Sequence, residues 1–271
     1  MRLNYFFILI FGGLLIACSP KNNPAATAGS TNGSVKFMTY NVHHCNPPSK
    51  PGAIDVDAIA GVIKKENPDV VALQEIDVNT RRSGSINEAA LLSEKTGYRF
   101  FHFSKSIDHD GGDYGIMLLS KYPLSDMETH KLPTDPATGG EPRVLSVATA
   151  QLPDGKKIRV ASVHLDFHGK TNGPLQMTEV NRVLATETLP VIIGGDFNAA
   201  ENSETIQLLD KAFTRTCKHC AFTIEEGNEK LAIDFIAYKP DQVFSVLSHR
   251  VTEEDYASDH RPVQATLKIN F

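Results

Sequence analysis

The sequence predicts an α/β chain in which two β-sheets pack face to face with helices on the outside. Three observations carry that prediction. Short β-branched runs recur from Val35 to the C-terminus, turn clusters separate them, and the few helical stretches fall in the connections. The 271 residues suffice for one sizeable core, and we assign residues 35–271 to a single folded domain.

Strands are expected at residues 35–42, 70–76, 116–120, 144–152, 158–165, 191–195, 233–238, 244–247 and 263–269, each an apolar, β-branched run bounded by turn residues. Between the first two, Asp57 is positioned to cap a helix. Ile59, Val62 and Ile63 follow helical spacing and Asn67-Pro68 ends it. A second helix is expected over 87–96, closed by Gly97, a third over 175–188, and a shorter one from Ser203.

The first 34 residues stand apart from this pattern. Arg2 precedes an apolar run over 5–17 that is too short for a bilayer span, the layout of a secretory signal peptide. Leu15-Ile16-Ala17-Cys18 resembles the lipobox of bacterial lipoproteins, in which the cysteine is acylated and becomes the new N-terminus. Acyl chains contribute about 0.8 kcal/mol per buried CH₂, and two or more anchor a protein stably. Residues 1–17 are thus expected to be a signal peptide, and residues 18–34 a lipidated Cys18 with a flexible linker poor in apolar side chains. The body is expected on a membrane of the bacterial cell envelope, facing the periplasm or the outer surface, and as a monomer.

Of the other cysteines, Cys217 and Cys220 offer two thiols where a structural zinc site takes four ligands, so a small disulfide or two unpaired thiols is favoured over zinc. Cys45 is given no role. Net charge is −5, no Lys/Arg cluster exceeds a pair, and the chain has no Trp, which disfavours a dedicated nucleic-acid enzyme. Arg81-Arg82 is a candidate local basic patch.

Polar residues collect at strand ends. Asn41 ends the first strand, Glu75 the second and His164 a middle one. Asp196 and Asn198 follow the apolar Val191-Ile192-Ile193, and Asp259-His260 precede the last strand. Glu75, after an apolar run, suits a hard divalent cation. The glycines before Asp196 are expected to allow a sharp turn, and the two-residue spacing to Asn198 to place both side chains on one side of an extended segment. Asp234, alone in an apolar strand, suits a carboxylate that orients the ring of His260.

Taken in order, TYNVHH (39–44), PDVVALQEID (68–77), GDYGIMLLSKYP (112–123), EPR (141–143), SVHLD (162–166), GGDFN (194–198), AIDFI (232–236) and SDHRP (258–262) resemble the motifs of the endonuclease/exonuclease/phosphatase superfamily, the group of DNase I-like nucleases, sphingomyelinases and inositol polyphosphate phosphatases. The resemblance implies a four-layer sandwich of two mixed β-sheets flanked by helices, with a cleft at one end of the sheets. It implies a divalent-metal phosphoesterase using Mg²⁺ or Mn²⁺, with Glu75, Asn41 and Asp259 as metal ligands. Asp196 would direct the attacking water, Asn198 would hold water or phosphate, and His260, backed by Asp234, would contact phosphate. His164 matches the second catalytic histidine, and Tyr114 and Arg143 are assigned to substrate. One departure stands out: Tyr114-Gly115-Ile116-Met117 replaces a Tyr-Gly-Asn-Ala of many relatives, putting an apolar side chain where a polar one is common.

The expected reaction is hydrolysis of a phosphodiester by in-line attack of water, with a small-molecule or phospholipid-type substrate favoured. A nuclease or a phosphomonoesterase is the alternative, and a noncatalytic binding module the remote one. No residue of the core constellation is lost, which disfavours the last.

Overall fold

The computed structural model describes Met1 and residues 33–270, so the expected signal peptide, Cys18 and nearly all of the linker lie outside the described residues. The elements in order are β1 (Ser34–Asn41), α1 (Val56–Glu66), β2 (Val70–Val78), α2 (Glu88–Thr96), β3 (Phe100–His109), β4 (Gly112–Ser120), β5 (Leu124–Lys131), β6 (Val144–Gln151), β7 (Lys157–His164), α3 (Gly169–Leu184), β8 (Val191–Asp196), α4 (Glu204–Ala212), β9 (Thr214–Arg215), β10 (Ile224–Glu226), β11 (Glu229–Leu231), β12 (Asp234–Lys239), β13 (Phe244–Val251) and β14 (Val263–Ile269).

Two six-stranded sheets result, ordered β13-β14-β1-β2-β4-β3 and β5-β6-β7-β8-β12-β9. Each is mixed, with one parallel pair, β1 with β2 and β7 with β8. Parallel neighbours need a crossover, and α1 and α3 supply it. The same parallelism brings the C-terminal ends of β1, β2, β7 and β8 to one rim.

Side-chain alternation explains the layers. Along β1, Val35 and Phe37 point between the sheets, where they meet Val70, Leu118, Val160, Ile192 and Ile236. Met38 and Tyr40 point the other way, against Ile59 and Ile63 of α1 and Leu92 of α2. On the second sheet, Val163, Ile193 and Phe235 pack against Met177 and Val180 of α3 and Ile206 and Leu209 of α4. Helix, sheet, sheet, helix is the four-layer arrangement expected.

Several boundaries shift, each for a local reason. Asp55, not Asp57, caps α1, its side chain accepting from the Ala58 N–H at 2.9 Å. Asn87, Gly97 and Ser203 cap as expected. Helix α3 begins at Gly169 and carries Pro174 inside its second turn, which masked its start. Strands β3 and β5 went unread because they are sheet edges with mostly polar or exposed residues. The hairpin β10–β11 was also missed. Cys217 and Cys220 form a disulfide, and Cys45 is a buried free thiol.

Gly194 and Gly195 lie within β8 and are there for space rather than for a turn. A Cβ on Gly194 would lie 2.6 Å from the Phe37 ring, and one on Gly195 would lie 2.2 Å from the Val163 carbonyl oxygen. The absent side chain of Gly194 lets the two sheets close together just before Asp196, and that of Gly195 leaves room for the β7 backbone beside it in the same sheet.

Candidate active site

The alternation that builds the inter-sheet core also delivers the polar rim. In β8 the inward series is Ile192, Gly194, Asp196; in β1 it is Phe37, Thr39, Asn41; in β7 it is Val160, Ser162, His164. Each series runs from apolar core, through a small or hydroxyl residue, to a functional group. The middle step is polar too, with Gln74 Nε2 donating to Ser162 Oγ across the sheets at 3.1 Å. Register then fixes neighbours: His164 and Asp234 each stand opposite Asp196 on adjacent strands.

Glu75 reaches this rim by a different device. Strict alternation would put it on the helix face with Leu73. Instead the ladder between β2 and β4 slips between Leu73 and Ile76, and Glu75 takes a left-handed φ of 60°. A bulge of this kind re-aims a side chain.

The groups converge on Asp196, which is buried. Asn41 Nδ2 donates to Asp196 Oδ2 and to Glu75 Oε1, each at 3.0 Å. The Asn198 N–H donates to Asp196 Oδ1 at 2.8 Å. His164 Nε2 and His260 Nε2 lie 3.5 and 3.7 Å from Asp196 Oδ2. His260 Nδ1 donates to Asp234 Oδ2 at 2.9 Å.

Protonation follows from these contacts. An Arg143 guanidinium N–H points at His164 Nδ1 at 3.1 Å, and since arginine only donates, Nδ1 must accept. His164 is therefore neutral, with its proton on Nε2 toward Asp196. Burial and the Arg143 charge push its pKa well down. His260 is the opposite case. Burial disfavours its charged form, but Asp234 and Asp196 outweigh that and raise it to about 10, so it is an imidazolium at neutral pH. Burial and the neighbouring Asp234 charge push Asp196 upward. Burial would raise Glu75 as well, yet the His44 ring, the Asn41 amide and the charged His260 hold it well below the usual carboxylate range.

Glu75 is 22% exposed, and its Oε2 faces the His44 ring rather than an arginine. An ionised carboxylate at the edge of a cleft suits a divalent cation. Asp259, 40% exposed, lies 4.0 Å from the His43 ring and is joined to the Asn41 backbone through Ser258 Oγ, lining a pocket next to the Glu75 cleft rather than the cleft itself. Asn41, expected as a metal ligand, here accepts the His43 N–H at its Oδ1 at 3.0 Å and donates from Nδ2 to the two carboxylates, so it positions Glu75 and Asp196. Asp196, Asp234 and His260 also bring ligand atoms within 4.8 Å of one another. There, however, the hydrogen bond between Asp234 and His260 ties up the facing atoms.

Around these groups lies a cleft of 490 Å³. Its lining combines the polar Glu75, Tyr114, Glu141, Arg143, His164, Asp196, Asn198 and His260 with the apolar Phe167, Ala200, Ile224, Leu231 and Ile233. Tyr114 and Arg143 are thus at the cleft, Arg143 braced by Glu141 at 3.0 Å. Ile116, in the departing motif, is buried and does not line it. Asn198 is not extended: its φ of 48° makes a turn, with its Nδ2 donating to the Leu165 carbonyl at 2.8 Å. Arg81 and Arg82 are no free basic patch, being paired with Asp110 and Asp77 at 2.7 Å.

The apolar wall and the His43-His44 pair were not expected as site residues. The hairpin β10–β11 contributes Ile224 and Leu231 to that wall, held beside the site where Ile224 bridges to His260 and the Asp234 N–H donates to Thr223 Oγ1. Gly227-Asn228 was the turn signal that marks it.

Comparison with known proteins agrees with this geometry. A family model described as "Endonuclease/Exonuclease/phosphatase family" matches residues 38–260. The uncharacterized protein YbhP of Escherichia coli K12 is 25% identical over 252 residues, 87% of this chain and 97% of its own length. An endonuclease/exonuclease/phosphatase from Beutenbergia cavernae superposes with a TM-score of 0.75 at 22% identity, covering 88% of this chain and 72% of that one. ANGEL2, a 2′,3′-cyclic phosphatase solved with adenosine-2′,3′-vanadate, gives 0.68 at 16%, covering 88% and 96%. By the family match across most of its length, and with two six-stranded sheets between helix layers, the chain belongs to the endonuclease/exonuclease/phosphatase family.

Proposed function

We propose that this chain is a divalent-metal-dependent phosphoesterase that hydrolyses phosphodiester bonds by in-line attack of water, on a small-molecule or phospholipid-type substrate. The observation that carries the reading is the convergence of Asn41, His164 and His260 on Asp196, beside an ionised Glu75, at the floor of one cleft. Glu75 and Asp259 would hold a Mg²⁺ or Mn²⁺ ion, which when bound would supply Lewis-acid polarisation of a phosphoryl oxygen.

The protein's own groups do the rest. Asp196, raised toward neutrality, orients the attacking water and accepts its proton. Asn41 and the Asn198 N–H fix the rotation of that carboxylate. His260, kept protonated by Asp234, donates from Nε2 to an oxygen whose negative charge grows in the transition state. His164 and Arg143 add a neutral donor and a fixed positive charge, and Arg143 is buried, so its field is poorly screened.

Two features support the substrate class. Part of the cleft wall is apolar, which suits a leaving group or diester arm that is not purely ionic. The acidic net charge and the pairing of Arg81 and Arg82 within the protein leave little to track a polynucleotide. Acylation at Cys18 would further place the cleft near a membrane of the bacterial envelope.

The test is turnover of bis(p-nitrophenyl) phosphate by purified protein with Mg²⁺, Mn²⁺ or chelator, followed by phospholipid, DNA and phosphomonoester substrates. Glu75→Gln and His260→Ala should each lower kcat by about 10²–10⁴-fold while the circular dichroism spectrum is unchanged. Full activity of either folded variant would sink the assignment. Release of phosphate from monoesters with no diester turnover would favour the phosphatase reading.

A further inference from the structure

We propose that His44 is a ligand of the same cation as Glu75, making the site a mixed nitrogen and oxygen site that favours Mn²⁺ and other transition-metal ions over Mg²⁺. The inference rests on the metal reading above and adds to it an imidazole donor.

Distance is the first argument. His44 Nδ1 is 3.8 Å from Glu75 Oε2, too far for a hydrogen bond. It is the right separation for two atoms sharing an ion. Ligands each about 2.1 Å from one cation lie between about 3.0 and 4.2 Å apart as the angle between them opens from 90° to 180°. The second argument is satisfaction: this nitrogen is buried and has no hydrogen-bond partner. A buried imidazole nitrogen without a hydrogen-bond partner is costly, and a cation held between it and the carboxylate would satisfy both.

Backbone conformation is the third. His43, His44 and Cys45 all have positive φ, 47°, 40° and 53°, and Glu75 has 60°. Left-handed backbone costs about 1–2 kcal/mol for each ordinary residue, so two separate segments are strained, and the strain brings the two side chains together. The turn is held in place. The His43 N–H donates to Asn41 Oδ1 at 3.0 Å, the Cys45 N–H to the Val42 carbonyl at 2.8 Å, and the His43 ring packs edge-on to His44 at 4.6 Å. His43 cannot play the same part through Nδ1, which is bonded to the Asn46 carbonyl at 2.9 Å.

Donor type sets the preference. Imidazole suits transition metals, whereas Mg²⁺ keeps carboxylate and water oxygens. The experiment is pulsed electron paramagnetic resonance of the full-length protein loaded with Mn²⁺, reading ¹⁴N modulation. Wild type should show directly bound nitrogen, as should His43→Gln and His260→Gln. His44→Asn, which tolerates left-handed backbone, should lose it. The same variant should weaken Mn²⁺ binding by about tenfold, in the range seen when metal-site partners are removed, and change Mg²⁺ binding by less than about twofold, because oxygen and water ligands are retained. Bound Mn²⁺ without nitrogen modulation in wild type, or modulation that survives His44→Asn, overturns the inference and leaves the Glu75 metal site standing. Failure of the wild type to bind Mn²⁺ at all overturns both.

Discussion

Asp77 and Glu88 share buried space behind the strand that carries Glu75, and they end in opposite protonation states. Asp77 accepts from Thr80 Oγ1 at 2.7 Å, Ser83 Oγ at 2.6 Å and Arg82 at 2.7 and 2.8 Å. Burial alone would raise its pKa, but these donors pull it down. Glu88 receives the Asp77 N–H at 2.9 Å and no cation, so burial, helped by the Asp77 charge, lifts it from 4.5 to about 8. The sign follows from linkage. The folded state holds a proton that the unfolded chain releases, so this contribution is fully present below pH 4.5 and is lost as pH rises through about 8. Across that window stability should fall on the order of 1.4 kcal/mol per pH unit. Glu88→Gln should flatten it, matching wild type in urea denaturation at pH 4.5 and exceeding it at pH 8; parallel curves would refute the assignment. The identities of Asn41, Glu75, His164, Asp196, Asp234 and His260 were legible from strand-end position and motif order. Which atom of Asn41 faces the carboxylates was not, because that depends on a hydrogen bond from His43 in the next turn.

Elements place these side chains by two mechanisms, strand alternation for Asn41, His164 and Asp196 and a bulge for Glu75. Alternation works only if the sheets are close enough for Asn41 and Asp196 to touch; Gly194 provides that closeness, and Gly195 lets β7 and β8 lie side by side in one sheet. Gly195→Ala should therefore destabilise the fold by roughly 1–3 kcal/mol or more through overpacking, since the obstructing atom is a backbone oxygen with little freedom to move. A thermal melt checks this, and an unchanged melting temperature would mean the strands have room that the structure denies. The hairpin β10–β11 is the element that most directly touches specificity. Leu231→Asp puts a charge into the apolar wall and should raise KM for an aryl or lipid diester more than it lowers kcat, by about tenfold for the loss of one fully buried apolar side chain. Equal effects on both constants for polar and apolar diesters would show that the wall does not touch substrate. Central strands were readable because burial on both faces leaves an apolar run; β3, β5 and the hairpin were not, because edge and overhanging strands keep polar residues that look like loop.

At the scale of the molecule, the sheets bring one rim of the domain to the substrate, while the expected lipid anchor at Cys18 lies outside the described residues. Cys18→Ser in the full-length chain should move the protein from the membrane fraction to the soluble fraction and abolish labelling by a fatty-acid analogue. Retained labelling would exclude that cysteine as the acylation site. No helix among the described residues is long and apolar enough to cross a membrane. The sequence by itself determined the fold class, the family and most of the chemistry-bearing residues, because alternation, caps and ordered motifs are local signals written in neighbouring residues. Only the tertiary structure decided that Glu75 is aimed by a bulge, that of two histidines near one carboxylate one is neutral and the other protonated, that the arginine pair is internally neutralised, and that His44 Nδ1 faces Glu75. Those properties arise from contacts between segments far apart in the chain, where burial and distance set protonation and partner, and a linear pattern records neither.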